Sequence, residues 1–131
     1  MTENEIGKII VDCDFQVHTK LGPGLLESVY EIALAHELKK RGLAVERQVP
    51  IPVVYDGLRF DEGFRADLLV GGLVIVELKS VEEVHPVHKK QVLTYLKLTG
   101  KKLGYLINFG AELIKDGLTR LSNGAPDWKT E

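Results

Sequence analysis

Residues 65–80, RADLLVGGLVIVELKS, limit the fold more than any other stretch of the chain. Leu68, Leu69 and Val70 lead into Gly71-Gly72, and Leu73, Val74, Ile75, Val76 and Leu78 follow. These are two apolar, β-branched runs around a turn, and they read as buried strands. The same stretch carries Asp67, Glu77 and Lys79. An unpaired charge is expensive to bury, so these groups need partners or a metal ion.

The turn decides whether the charges meet. Strand side chains alternate between faces, so Asp67 and Glu77 share a face only if residues paired across the strands have an even position sum. A two-residue Gly71-Gly72 loop pairs Val70 with Leu73 and separates the carboxylates. A three-residue loop, Val70-Gly71-Gly72, pairs Leu69 with Leu73 and brings them together; it wants a left-handed glycine in third place, where Gly72 stands. Lys79 lies two positions beyond Glu77 and shares its face.

The rest of the chain supplies helices and further strands. Ile6, Ile9, Ile10, Cys13 and Val17 recur at helical spacing over residues 3–20, with Thr2 or Asn4 to cap the start. Gly22-Pro23-Gly24 breaks that helix. A second helix is expected over residues 24–41, with Leu26, Val29, Tyr30, Ala33 and Leu34 inward and Gly42 as its stop. VERQVPIPVVYDGLRF then reads as strand and turn, which Pro50 and Pro52 confine to a sheet edge or a bulge. After the two apolar strands comes a helix from about residue 84 to Gly100, with Val87, Val92, Leu93, Leu96 and Leu98 inward. LGYLINFG is a short strand, and a turn at Asp116-Gly117 leads to a small last one. The order, α-α-β-β-β-α-β with a final β, is that of a single α/β domain with a mixed sheet over residues 1–121, followed by a loose tail over 122–131.

Charge and composition narrow the function. The chain has 131 residues, 17 Lys and Arg against 19 Asp and Glu, and a formal net charge of −2. A strongly basic nucleic-acid coat is absent, so contact with phosphates must come from a local patch or from metal ions. Cys13 is the single cysteine, which excludes an intrachain disulfide, fits a reducing compartment and reads as core. No apolar run is long enough to cross a bilayer, and the charged start MTENEIGKII lacks a signal-peptide core. We therefore expect a cytoplasmic protein with no membrane association.

Two converging carboxylates repel unless a cation sits between them, and oxygen ligands of this kind suit Mg²⁺ or Mn²⁺. A lysine beside such an ion can orient or deprotonate water. The spacing D-x(9)-E-x-K is weak by itself, because a Glu-Lys pair is commonly a solvated strand edge. Other residues add to it. Gln91 and Tyr95, four apart, share a helix face; Glu27 and Tyr30 follow Gly24 at the start of the second helix.

Gly24, Glu27 and Tyr30 spell G-x-x-E-x-x-Y, and the chain resembles the GxxExxY protein family, a branch of the PD-(D/E)XK nuclease superfamily. The further marks come in order: Asp67, then Glu77-Leu78-Lys79 as E-x-K, then Gln91-x-x-x-Tyr95. Ala66 stands where the superfamily's name has proline. The resemblance covers about residues 5–121. It implies a restriction-endonuclease-like core, a mixed four-stranded sheet flanked by helices, and Mg²⁺-dependent cleavage of phosphodiesters. It further implies that Asp67, Glu77 and the Leu78 carbonyl bind metal, with Glu27 reaching it directly or through water. Lys79 would position the attacking water, Gln91 would orient Lys79 or the nucleophile, and Tyr30 and Tyr95 would be supports.

Two other functions use the same residues: a nuclease fold that binds nucleic acid or a partner without cutting, and a hydrolase of nucleotides or other small phosphate esters. Lys89, Lys90, Lys97, Lys101 and Lys102 cluster on and after one helix, and Lys39, Lys40 and Arg41 lie elsewhere; a polymer backbone would need some of them along one path to the acidic site. His85 and His88 flank Pro86 at the mouth of the same helix. The last strand leaves a sheet edge that a homodimer would cover.

Overall fold

The computed structural model describes residues 1–127. Its elements are α1 (Glu3–Leu21), α2 (Glu27–Lys40), β1 (Val45–Tyr55), β2 (Leu58–Val70), β3 (Val74–Lys79), α3 (Pro86–Thr99), β4 (Leu103–Asn108), α4 (Ile114–Gly117) and β5 (Leu118–Ser122). The strands form one sheet in the order β1-β2-β3-β4-β5. The β3/β4 pair is parallel and the other three pairs are antiparallel, so the sheet is mixed, with five strands rather than four. No helix among the described residues is long and apolar enough to cross a membrane.

The helices cover both faces. Ile6, Ile10, Cys13 and Val17 of α1 and Tyr30, Leu34 and Leu38 of α2 pack with Leu68, Val74, Val76, Leu103 and Ile107. On the other face Val92 and Leu96 of α3 pack with Ala66, Ile75, Leu106 and Leu121. The caps follow the sequence. The Thr2 hydroxyl accepts the Glu5 N–H at 3.2 Å while the Thr2 N–H donates to Glu5 Oε1 at 3.1 Å, a reciprocal capping box.

Some expected faces are corrected. Leu26 is 74% exposed and Val29 is also exposed, while Glu31, Ala35 and Leu38 join Tyr30 and Leu34 in the buried stripe of α2. The stripe is rotated because Glu31 has partners beneath it and can go inside. In α3, Val87 and Leu98 are exposed; the sheet covers only the width of Val92 and Leu96, with Leu93 half-buried. β1 is an edge strand, as its prolines require, and its register against β2 shifts between Ile51 and Val53, where Pro52 stands. Within the expected tail, Asn123 Nδ2 donates to the Leu96 and Lys101 carbonyls, and Arg120 and Asn4 both donate to the Pro126 carbonyl. Residues 128–131 lie outside the described residues.

Two clasps position the end of β3. The Tyr30 ring stacks on Phe109 with centroids 4.4 Å apart. Its hydroxyl donates to the Gly22 carbonyl at 2.5 Å and accepts the Leu25 N–H at 3.1 Å, which fixes the loop ahead of α2. On the other side Asn108 Oδ1 accepts the Val81 and Gly110 N–H groups, and Asn108 Nδ2 donates to the Val81 carbonyl at 2.9 Å. The chain passes so close there that a Cβ on Gly110 would sit 2.6 Å from the Val81 nitrogen and closer still to its oxygen. Backbone atoms cannot swing aside as a side chain can. Gly110→Ala is therefore expected to cost about 1–3 kcal/mol in denaturant unfolding.

Candidate active site

Asp67 and Glu77 meet where β2 and β3 part. The paired residues are Leu68↔Val76, Leu69↔Ile75 and Val70↔Val74, each with an even sum. The loop is Gly71-Gly72-Leu73, one residue along from the expected Val70-Gly71-Gly72, and both glycines take positive φ, 60° and 68°. The parity is unchanged, so both carboxylates stay on the α3 side of the sheet.

Beyond Leu68 the carboxylates take over from the ladder. The Asp67 N–H donates to Glu77 Oε1 at 3.3 Å, and the Leu78 N–H donates to Asp67 Oδ2 at 2.9 Å. A strand residue points its N–H and C=O to the same side. Leu78 therefore turns its carbonyl toward Asp67 as well, while the Lys79 carbonyl accepts from Phe109 on the β4 side at 2.8 Å.

The electrostatics of the pair are strained. Burial first, then the Asp67 charge and a side-chain hydrogen bond with Asp67, push the Glu77 carboxyl up to about 9; Lys79 acts the other way. Two carboxyls this close disfavour each other's charge, and a cation between them would relieve the repulsion. Among the described residues no group of three or more His, Cys, Asp or Glu side chains forms a metal cage. Two carboxylates and the Leu78 carbonyl, with water completing the shell, still fit a hard divalent ion such as Mg²⁺.

The other expected residues take different places. Lys79 is half-buried, on the Glu77 face of β3, and its charge pushes down the His88 imidazole, after burial and ahead of His85. Glu27 acts on His88 in the opposite sense. Glu27 is exposed at the start of α2, which docks on the end of β3 through Ser80 Oγ donating to the Leu25 carbonyl. His88 Nδ1 is shielded from solvent and unpartnered among the described residues. Tyr95 stacks on Phe64 at 3.8 Å, and its hydroxyl is pushed up by burial, then by Glu77 and Asp67. Gln91, one turn earlier on α3, is exposed.

Sequence reading missed three residues here. Glu31 lies buried one turn beyond Glu27, bonded to Arg47 Nη2 at 2.8 Å and to Gln48 Nε2 at 2.6 Å. Gln48 Nε2 also donates to Asp67 Oδ1 at 3.3 Å. The signal available was the i, i+4 spacing of Glu27 and Glu31, which puts both on one side of α2.

No curated protein matches the chain. A solved structure titled "Crystal structure of SSO0001" superposes with a TM-score of 0.51 at 17% identity, over 97% of this chain and 65% of that one. At that identity the likeness is one of fold. The family model of the PD-(D/E)XK nuclease superfamily matches residues 4–121. Its match runs from the first turn of α1 into β5 and takes in the strand pair where Asp67 and Glu77 meet, and on that ground the chain belongs to the PD-(D/E)XK nuclease superfamily.

Proposed function

We propose that this protein hydrolyses phosphodiester bonds of nucleic acid with a divalent ion, Mg²⁺ or Mn²⁺, held by Asp67, Glu77 and the Leu78 carbonyl. We place it in the GxxExxY branch of the superfamily, on Gly24, Glu27 and Tyr30. The observation that carries the reading is the contact of two carboxylates at the split of β2 and β3, with Lys79 two residues on. An ion bound there would polarise the scissile phosphate and acidify a water. Lys79 would orient that water and balance charge on the phosphoryl oxygens. Glu27 would hold a water on the α2 side, and Gln91 would orient Lys79 or the nucleophile. Tyr30 and Tyr95 support through packing: one fixes the loop before α2, the other stacks on Phe64. Lys89, Lys90 and Lys97 are exposed along α3, the helix that carries Gln91 and Tyr95, and would meet backbone phosphates. A cytoplasmic setting fits a chain whose single cysteine, Cys13, is buried.

The test incubates purified protein and Mg²⁺ or Mn²⁺ with single- and double-stranded DNA, RNA and nucleotides. Polymer cleavage is expected, and Glu77→Ala should remove it. Cleavage of nucleotides alone would favour a small-ester hydrolase, and binding of polymer without cleavage a non-cutting module. In the same assay Lys79→Met is expected to abolish cleavage while Mn²⁺ binding stays within a few-fold of wild type, since Lys79 is no ligand. Mn²⁺ binding lost along with cleavage would contradict that role.

A further inference from the structure

We propose that Gln48 is a positioning residue for the candidate metal site, fixing the Asp67 carboxylate through a brace anchored on Glu31. The inference rests on the metal-binding reading above. The Gln48 amide donates to two carboxylates, Glu31 Oε1 at 2.6 Å and Asp67 Oδ1 at 3.3 Å. The second Asp67 oxygen takes the Leu78 N–H. Asp67 is thus gripped at both oxygens by groups from β1 and β3, which fixes the direction in which it presents its remaining lone pairs.

The anchor of the brace is firm. Glu31 is 5% exposed and is held by Arg47 Nε at 3.0 Å and Nη2 at 2.8 Å. Arg47 and Gln48 are consecutive, and consecutive residues in a regular strand point to opposite faces. Here both side chains reach Glu31. They do so because Gln48 has φ 52°, the left-handed region that a residue with a Cβ rarely enters. The hydrophobic partners of β1 change at the same place: Val45 packs with the α1/α2 cluster and Val49 with the α3 cluster. Both Arg47 bonds go to Glu31 Oε2, so Gln48 is the group that reaches Oε1, and the same amide nitrogen continues to Asp67 Oδ1. The conformation is explained when Gln48 must span from Glu31 to Asp67.

Two variants separate positioning from mere structure. Gln48→Gly suits the positive φ and has no amide. Gln48→Asn also tolerates that conformation but is one methylene too short to bridge both carboxylates. Mn²⁺ affinity is read from the paramagnetic signal of free ion, and apo melting is measured with metal chelated. We expect both variants to bind Mn²⁺ about 10–100-fold more weakly than wild type, the usual effect of losing a group that orients a ligand. The apo melt of Gln48→Gly should stay near that of wild type, because the strain relieved offsets the Glu31 bond lost. Wild-type affinity in both variants overturns the proposal while leaving the metal reading intact. So does an apo melt well below wild type in both, which would make Gln48 a structural brace. A wild type that binds no Mn²⁺ removes the metal reading, and the proposal with it.

Discussion

Glu77→Gln is expected to raise the melting temperature of the metal-free protein while lowering the proposed nuclease activity by at least about a hundredfold, the scale for losing one main electrostatic contributor. The two effects have one cause. Without metal, Glu77 lies half-buried against the Asp67 carboxylate and is pushed up to about 9 from an ordinary 4.5. At neutral pH the folded protein must hold a proton that the unfolded chain releases, which costs stability. Glutamine is neutral at every pH and nearly the same shape, so the variant escapes that cost, on the order of a few kcal/mol. It cannot replace a carboxylate as a Mg²⁺ ligand, so metal affinity should fall with activity.

The pH dependence gives the sign. A folded-state pKa above the unfolded one contributes stability that is fully present below about 4.5 and is lost as pH rises toward about 9. Wild-type apo stability should therefore fall across that window faster than that of Glu77→Gln. Mn²⁺ should stabilise wild type most at the alkaline end, where the carboxylate it needs is easiest to free. Melts of both proteins, with and without Mn²⁺, at several pH values would decide the matter. A Gln variant that melts well below wild type without metal, together with a wild-type melt that Mn²⁺ never shifts, would make these charges a structural network.

Much of this arrangement was legible because strand geometry is periodic. Once residues 65–80 read as a hairpin, the parity of the loop decided whether Asp67 and Glu77 could meet, and a register slip of two in the position sum left parity intact. The edge assignment of β1 followed from Pro50 and Pro52, which cannot donate to a ladder. What escaped depends on partners distant in sequence. Glu31 looks like any glutamate on a helix until Arg47 and Gln48 arrive from β1. Gln48 gives no left-handed signal, since such positions announce themselves through Gly, Asn or Asp. Leu26 and Val29 read as core by residue type and lie outside because the neighbouring sheet reaches only the other side of α2. The fifth strand, β5, is short and half-buried, and its sequence LTRLS barely alternates.

Asp14 shows the same limit on the opposite side of the sheet and carries the second large expected effect. It lies between Cys13 and Val17 on the buried stripe of α1, with 0% exposure and no hydrogen-bond partner for either carboxyl oxygen among the described residues. Burial pushes its carboxyl well above the usual carboxylate range. The titratable groups around it offer no compensation: the Cys13 thiol is itself pushed up to about 11, chiefly by burial, and burial also raises the Tyr105 hydroxyl, with Arg120 opposing and Asp14 adding to the rise. An acid kept neutral in the fold and ionised in the unfolded chain makes stability fall as pH rises from the ordinary carboxylate value of 3.8 through the raised folded one. Asp14→Asn keeps the size and never ionises, so it should remove this slope and gain stability at pH 8. Asp14→Leu also removes the unsatisfied polar atoms, worth about 1–3 kcal/mol, though its extra bulk takes back part of that gain. Urea unfolding of the three proteins at pH 5 and pH 8 is the measurement, with Glu77 left unchanged so that its parallel slope cancels in the differences. If both variants lose stability equally at the two pH values, Asp14 has a bonded partner in the folded protein and the account of it as a lone buried acid fails.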